Sequence, residues 1–140
     1  MGRVFFDTRL NIDSLTADYQ ALASDSNKVF MLNAAAGLTL TLPSVANAQA
    51  GWNCEVVVAT VTTSNNYIIT ELTSADTDVI IAQGLEGEVD TSDDGPYSAG
   101  CTTITFQGTP SLGDKLKIFC DGTKYYASIV TQDDAGVALA

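Results

Sequence analysis

The chain has no histidine among its 140 residues. That removes the usual general base, the commonest metal-binding nitrogen and the only side chain that titrates near neutrality unperturbed. Basic residues are scarce: Arg3, Arg9, Lys28, Lys115, Lys117 and Lys124 are all there are, and they form no run. Against a net charge of −11, the chain would repel phosphate, which disfavours nucleic acid and anionic membrane alike. The three cysteines, Cys54, Cys101 and Cys120, contain no Cys-x-x-Cys pair. Their odd number argues against a complete disulfide framework, and a zinc site would need three thiolates and a carboxylate. They read as small buried hydrophobes. Trp52 is the single tryptophan, too few for the aromatic subsites that accompany paired-carboxylate glycosidases. Gly-x-Ser-x-Gly, phosphate-loop and dinucleotide fingerprints are absent, as is any apolar run of membrane-spanning length. The start, "MGRVFFDTRL", has too short an apolar patch for a signal peptide, so the expected site of synthesis is a cytoplasm without export. No enzyme and no cofactor are expected.

What the chain does have is β-strand. At 140 residues with 46% hydrophobic content it is long enough for one domain with a core of its own. Strands are expected at 28–33, 38–42, 52–61, 66–71, 78–83, 102–107, 115–120 and 124–130. "LTLTL" alternates strictly, so Leu38, Leu40 and Leu42 face one side and Thr39 and Thr41 the other. Ile104 and Phe106 are expected inward by the same rule, as are Leu116 and Ile118 against Lys115 and Lys117. "VVVA" is continuous, as in a strand covered on both faces. Pro43 ends a strand, and Asp121-Gly122 suits a hairpin turn. The expected class is all-β: an antiparallel sandwich or barrel, jelly-roll-like, with one wet face.

Two segments stand apart. Residues 1–27 read as an N-terminal arm or a short helix or strand, ahead of a single β-domain at 28–140. Leu15, Tyr19 and Leu22 fall at roughly helical spacing behind a cap at Ser14, whereas Val4, Phe5 and Phe6 form an apolar cluster suited to packing on a neighbour. Residues 84–100 form the longest interruption and are expected to be a surface loop. Glu86, Glu88, Asp90, Asp93 and Asp94 crowd within it, but their spacing does not match an EF-hand, and a solvated loop without metal is expected. Asp76 and Asp78 read the same way.

Two stretches carry a resemblance. "NAAAGLTLTLPSVANAQAGWNCEVVV" (33–58) has a Gly, alternating Leu and Thr ending in Leu-Pro, a small-residue turn, then Gly-aromatic entering a strand. "LGDKLKIFCDGTKYYASIV" (112–130) has Gly-Asp before a strand and Asp-Gly-Thr turning into an aromatic strand. In order and spacing these resemble structural proteins of tailed-bacteriophage virions: the capsid decoration (cement) proteins and related head or tail fibre modules. The likeness spans roughly Lys28 to Thr131. It departs at Tyr125-Tyr126, where a Trp-Tyr pair is frequent.

The resemblance implies a non-enzymatic virion protein on the capsid exterior, a homo-oligomer (a homotrimer) bound to the major capsid protein, with no nucleic acid or membrane partner. Val4, Phe5, Phe6 and Trp52 would be the interface anchors. The alternative it leaves open is a receptor- or glycan-binding fibre module, which would expose aromatics such as Trp52, Tyr97, Tyr125 or Tyr126 beside carboxylates or amides.

Overall fold

A computed structural model describes residues 9–72, 79–87, 95–108, 110–132 and 136–140. In chain order the strands are β1 (Asn11–Leu15), β2 (Tyr19–Gln20), β3 (Lys28–Leu32), β4 (Leu38–Leu42), β5 (Asn53–Val58) and β6 (Tyr67–Glu71). They are followed by β7 (Ile80–Glu86), β8 (Tyr97–Cys101), β9 (Thr103–Phe106), β10 (Lys115–Cys120), β11 (Tyr125–Thr131) and β12 (Val137–Leu139). One turn of helix, α1 (Val45–Ala48), follows Pro43, capped by Ser44, whose hydroxyl accepts from the Asn47 N–H at 3.3 Å.

The strands form a sandwich of two sheets. The larger has seven strands in the order β1-β3-β5-β10-β11-β7-β8, and the smaller five in the order β12-β9-β6-β4-β2. Both are mixed, where purely antiparallel sheets were expected. Through the first half, successive strands alternate between the sheets: β1, β3 and β5 enter the larger, β2, β4 and β6 the smaller. Neighbours within a sheet are therefore two elements apart and run the same way, so β1–β3, β3–β5, β2–β4 and β4–β6 are all parallel. Parallel neighbours need a crossover, ordinarily a helix; here a strand of the opposite sheet supplies it. The second half closes the sheets with antiparallel pairs, β5–β10, β10–β11, β7–β8, β6–β9 and β9–β12, and one further parallel pair, β7–β11.

The alternation places the core where expected. Leu38, Leu40 and Leu42 of β4, Ile104 and Phe106 of β9, and Leu116 and Ile118 of β10 are all buried. They meet Phe30, Leu32, Val56, Val58, Tyr67, Ile69 and Tyr125 between the sheets. Burying each large side chain contributes about 1.5–3 kcal/mol. Val57, in the run expected to be covered on both faces, is only half-buried and points outward.

Residues 11–27 form β1, β2 and a 3-10 turn at Ala23–Asp25, without the α-helix that the spacing of Leu15, Tyr19 and Leu22 allowed. Leu15 and Tyr19 lie in strands of different sheets. Asp25 and Lys28 knit the segment to the body: Lys28 Nζ donates to Asp13 Oδ2 at 2.6 Å and Asp25 Oδ1 at 2.9 Å. Asp25 Oδ2 also accepts from the Leu22 N–H at 2.8 Å and the Tyr19 hydroxyl at 3.0 Å. The segment therefore belongs to both sheets. The expected loop at 84–100 is shortened from both ends by β7 and β8, because Gly84 pairs across to Pro96: its N–H donates to the Pro96 carbonyl at 2.7 Å.

Candidate interaction surface

Interior polar groups are engaged in holding the fold. The buried Tyr125 hydroxyl donates to the Pro43 carbonyl at 2.7 Å, pinning the chain exit of β4 to β11. Tyr67 donates to the Thr60 carbonyl at 2.7 Å and accepts from the Ala34 N–H at 3.2 Å. Buried Asp114 accepts from the Ser111 and Gln132 N–H groups, both at 2.9 Å. All three cysteines are buried and none is in a disulfide. Burial raises the Cys54 thiol to about 12 and also raises Cys120, so neither is a thiolate nucleophile near neutrality. Among the described residues no three Cys, Asp or Glu side chains are grouped to hold a metal.

Trp52, expected as a surface anchor, is a core residue, 2% exposed. Its indole N–H donates to the Leu22 carbonyl at 3.2 Å, and its ring meets Tyr125 edge-on at 5.9 Å. Val4, Phe5 and Phe6 lie outside the described residues, as do Asp76, Asp78 and the acidic residues from Glu88 to Asp94. Of the expected anchors, only Trp52 falls among the described residues. The structure shows instead a surface that was missed.

The outward positions of the seven-stranded sheet follow from register. One row runs unbroken across all seven strands: Ile12, Val29, Glu55, Lys117, Ser128, Gln83 and Tyr97. The row on one side is Ser14, Met31, Val57, Lys115, Val130 and Leu85. The row on the other is Asn53, Phe119, Tyr126 and Ile81. Most of these side chains are apolar, and only Val29 among them is buried. Leu85 (71%), Tyr97 (69%), Ile12 (57%), Phe119 (51%) and Val130 (44%) are the most exposed of the apolar ones. Phe119 and Tyr126 stack with centroids 5.3 Å apart. A groove of about 410 Å³ opens on this face, with Leu10, Val29, Glu55, Lys117 and Phe119 in its lining.

The other sheet serves as an internal control. Its outward rows are Gln20, Thr41, Thr70, Thr103 and Thr39, Ile68, Thr105, Ala138. Threonine meets the β-branched preference of a strand while leaving the face wet. Strand propensity therefore does not require apolar residues outside the larger sheet, and exposed apolar side chains gathered on one face mark an interaction surface. The signal was present in the sequence as the continuous "VVVA" and as Phe119 and Val130 at positions that alternation sends outward.

A polar hollow of about 420 Å³ lies at Asp18, Thr39, Ser64, Asn65 and Asn66. Its polar groups each hold the fold through one atom: Asp18 Oδ1 accepts from the Thr39 N–H at 2.7 Å, Asn65 Nδ2 donates to the Ala36 carbonyl at 2.9 Å, and Asn66 Oδ1 accepts from the Gly108 N–H at 3.2 Å. No aromatic ring lines it.

Comparison with family models, with curated proteins and with solved structures gives no match.

Proposed function

We propose that the chain is a structural, non-enzymatic protein of a tailed-phage virion, a capsid decoration protein that attaches to the major capsid protein on the head exterior and stiffens the shell. The virion assignment rests on the resemblance of residues 28–131. The single observation that supports a surface-borne function is the division of the sandwich into a wet threonine face and an apolar face. The body is the stiff block and Val4, Phe5 and Phe6 are the attachment anchors. Burial across neighbouring capsomers adds contacts that internal pressure must break, and many copies on one lattice add by avidity. The fibre alternative wants exposed rings beside carboxylates or amides. Trp52 and Tyr125 are buried and the polar hollow has no ring, but Tyr97 is exposed with the exposed Gln83 as its cross-strand partner, so the fibre reading keeps a footing on the larger sheet. The test is reconstitution: purified chain is added to expanded capsids lacking it, and bound copies and heat resistance are measured. Binding to cells or polysaccharide without binding to capsids would replace decoration with the fibre function.

A further inference from the structure

We infer that the outer face of the seven-stranded sheet is covered by a second copy of this chain, packed face to face about a two-fold axis. The inference rests on the structural reading above, and it names the partner that the apolar face takes.

Size is the first ground. Seven strands spaced about 4.8 Å, each five to seven residues at about 3.3 Å over most of the sheet, give a face of about 30 by 20 Å, or about 600 Å² in projection. The accessible area of a corrugated face exceeds its projection, so it reaches the scale of about 800 Å² per partner in a standard interface. Two twisted sheets packed in this way are the ordinary inner layer of a β-sandwich.

Charge is the second ground. With a net charge of −11, most encounters between two copies bring acid against acid. The charged side chains in the three outward rows are Glu55, Lys115 and Lys117 alone, and they sit on the adjacent strands β5 and β10 near the middle of the sheet. Lys117 is 72% exposed and only 3.9 Å from Glu55. A two-fold axis near this pair places the Lys117 of each copy against the Glu55 of the other, with the stacked Phe119 and Tyr126 as the aromatic anchor beside it. The patch is thereby complementary to itself, as an isologous contact requires. A contact of one patch with its own copy closes at two subunits, so the expected order is a dimer in place of the trimer that the resemblance implies. It also covers Val57 on its second face, as its sequence run demands.

The test is the solution mass of the full chain by sedimentation equilibrium from about 1 to 100 µM, without capsids. The expected result is twice the 14.7 kDa chain mass. Phe119→Glu and Val130→Glu should each raise the dimer dissociation constant at least 100-fold while circular dichroism still reports the folded sandwich and melting stays cooperative. Thr41→Glu and Thr103→Glu, on the opposite face, should leave the dimer intact. Glu55→Lys should weaken it, and Glu55→Lys with Lys117→Glu should restore it. A monomer mass throughout, a trimer mass, or a dimer untouched by Phe119→Glu and Val130→Glu would each overturn the inference. Capsid attachment is read separately: a monomer that still decorates capsids removes the dimer alone, and a dimer that never attaches removes the decoration function alone.

Discussion

At the scale of single residues, the side chains most easily mistaken from sequence were those whose partners lie far along the chain. Trp52 follows a glycine at a strand entrance, a place where an aromatic can face either way, and nothing local announces that Tyr125 and the Leu22 carbonyl will enclose it. Trp52→Ala should therefore cost about 3–5 kcal/mol in urea unfolding, the range for emptying a packed aromatic site, and a loss below about 1 kcal/mol would contradict the core placement. Gly37, ahead of the alternating run, sits at φ +78°, and a Cβ there would come within 2.5 Å of the Asn66 carbonyl oxygen, so Gly37→Ala should destabilise by about 2 kcal/mol or more in the same assay. Asp25 was not singled out at all, because an acid in a polar turn carries no sign of burial. Burial raises its pKa, but hydrogen bonds from the Leu22 N–H, Lys28 and Tyr19 outweigh that, and its carboxyl ends below the ordinary 3.8. A lowered acid contributes stability that is fully present above the ordinary value and is lost as pH falls through the folded one. The melting temperature should drop on that acid limb, and Asp25→Asn should flatten the drop.

At the scale of elements, alternation shows which face a residue takes but not which strand lies beside it. Several strands were legible within a residue: β4 and β10 match their expected bounds and β11 is displaced by one residue at each end, whereas β5 stops at Val58, three residues short of its expected end, and β7 runs three residues past its own. β1, β2, β8 and β12 were not among the expected strands, because "NIDSL", "YQ", "YSAGC" and "VAL" are polar, small or short, and are strands only because a neighbour offers its edge. The parallel order of the first half was hidden for the same reason: period-two patterning is identical in parallel and antiparallel strands. β1 gives the sharpest test at this scale. Removing residues 1–8 should leave thermal melting unchanged while weakening capsid attachment. Removing residues 1–16 also takes away β1 and Asp13, and should cost several kcal/mol, because Lys28 loses one of its two carboxylates beside the core. Equal melting of the two truncations would show that β1 is not integral to the sheet.

At the scale of the whole molecule, the sequence made the fold class legible and left the working surface obscure. The all-β class followed from strand count and turn chemistry, which left sandwich and barrel as alternatives. The apolar outer face did not, since seeing it requires the order of seven strands drawn from across the chain. Its strong acidity favours solubility and disfavours phosphate. The chain is also expected to work without metal. Adding calcium should leave the melting temperature unmoved, whereas a native-state site with calcium at 100 times its dissociation constant would add about 2.7 kcal/mol. The most direct test of the central claim is cryo-electron microscopy of expanded capsids incubated with the purified chain. The account predicts ordered density for the sandwich on the outer surface of the major capsid lattice, with the segment holding Phe5 and Phe6 at the contact. Capsids that remain bare at saturating protein, or density confined to a fibre or tail tip, would contradict it.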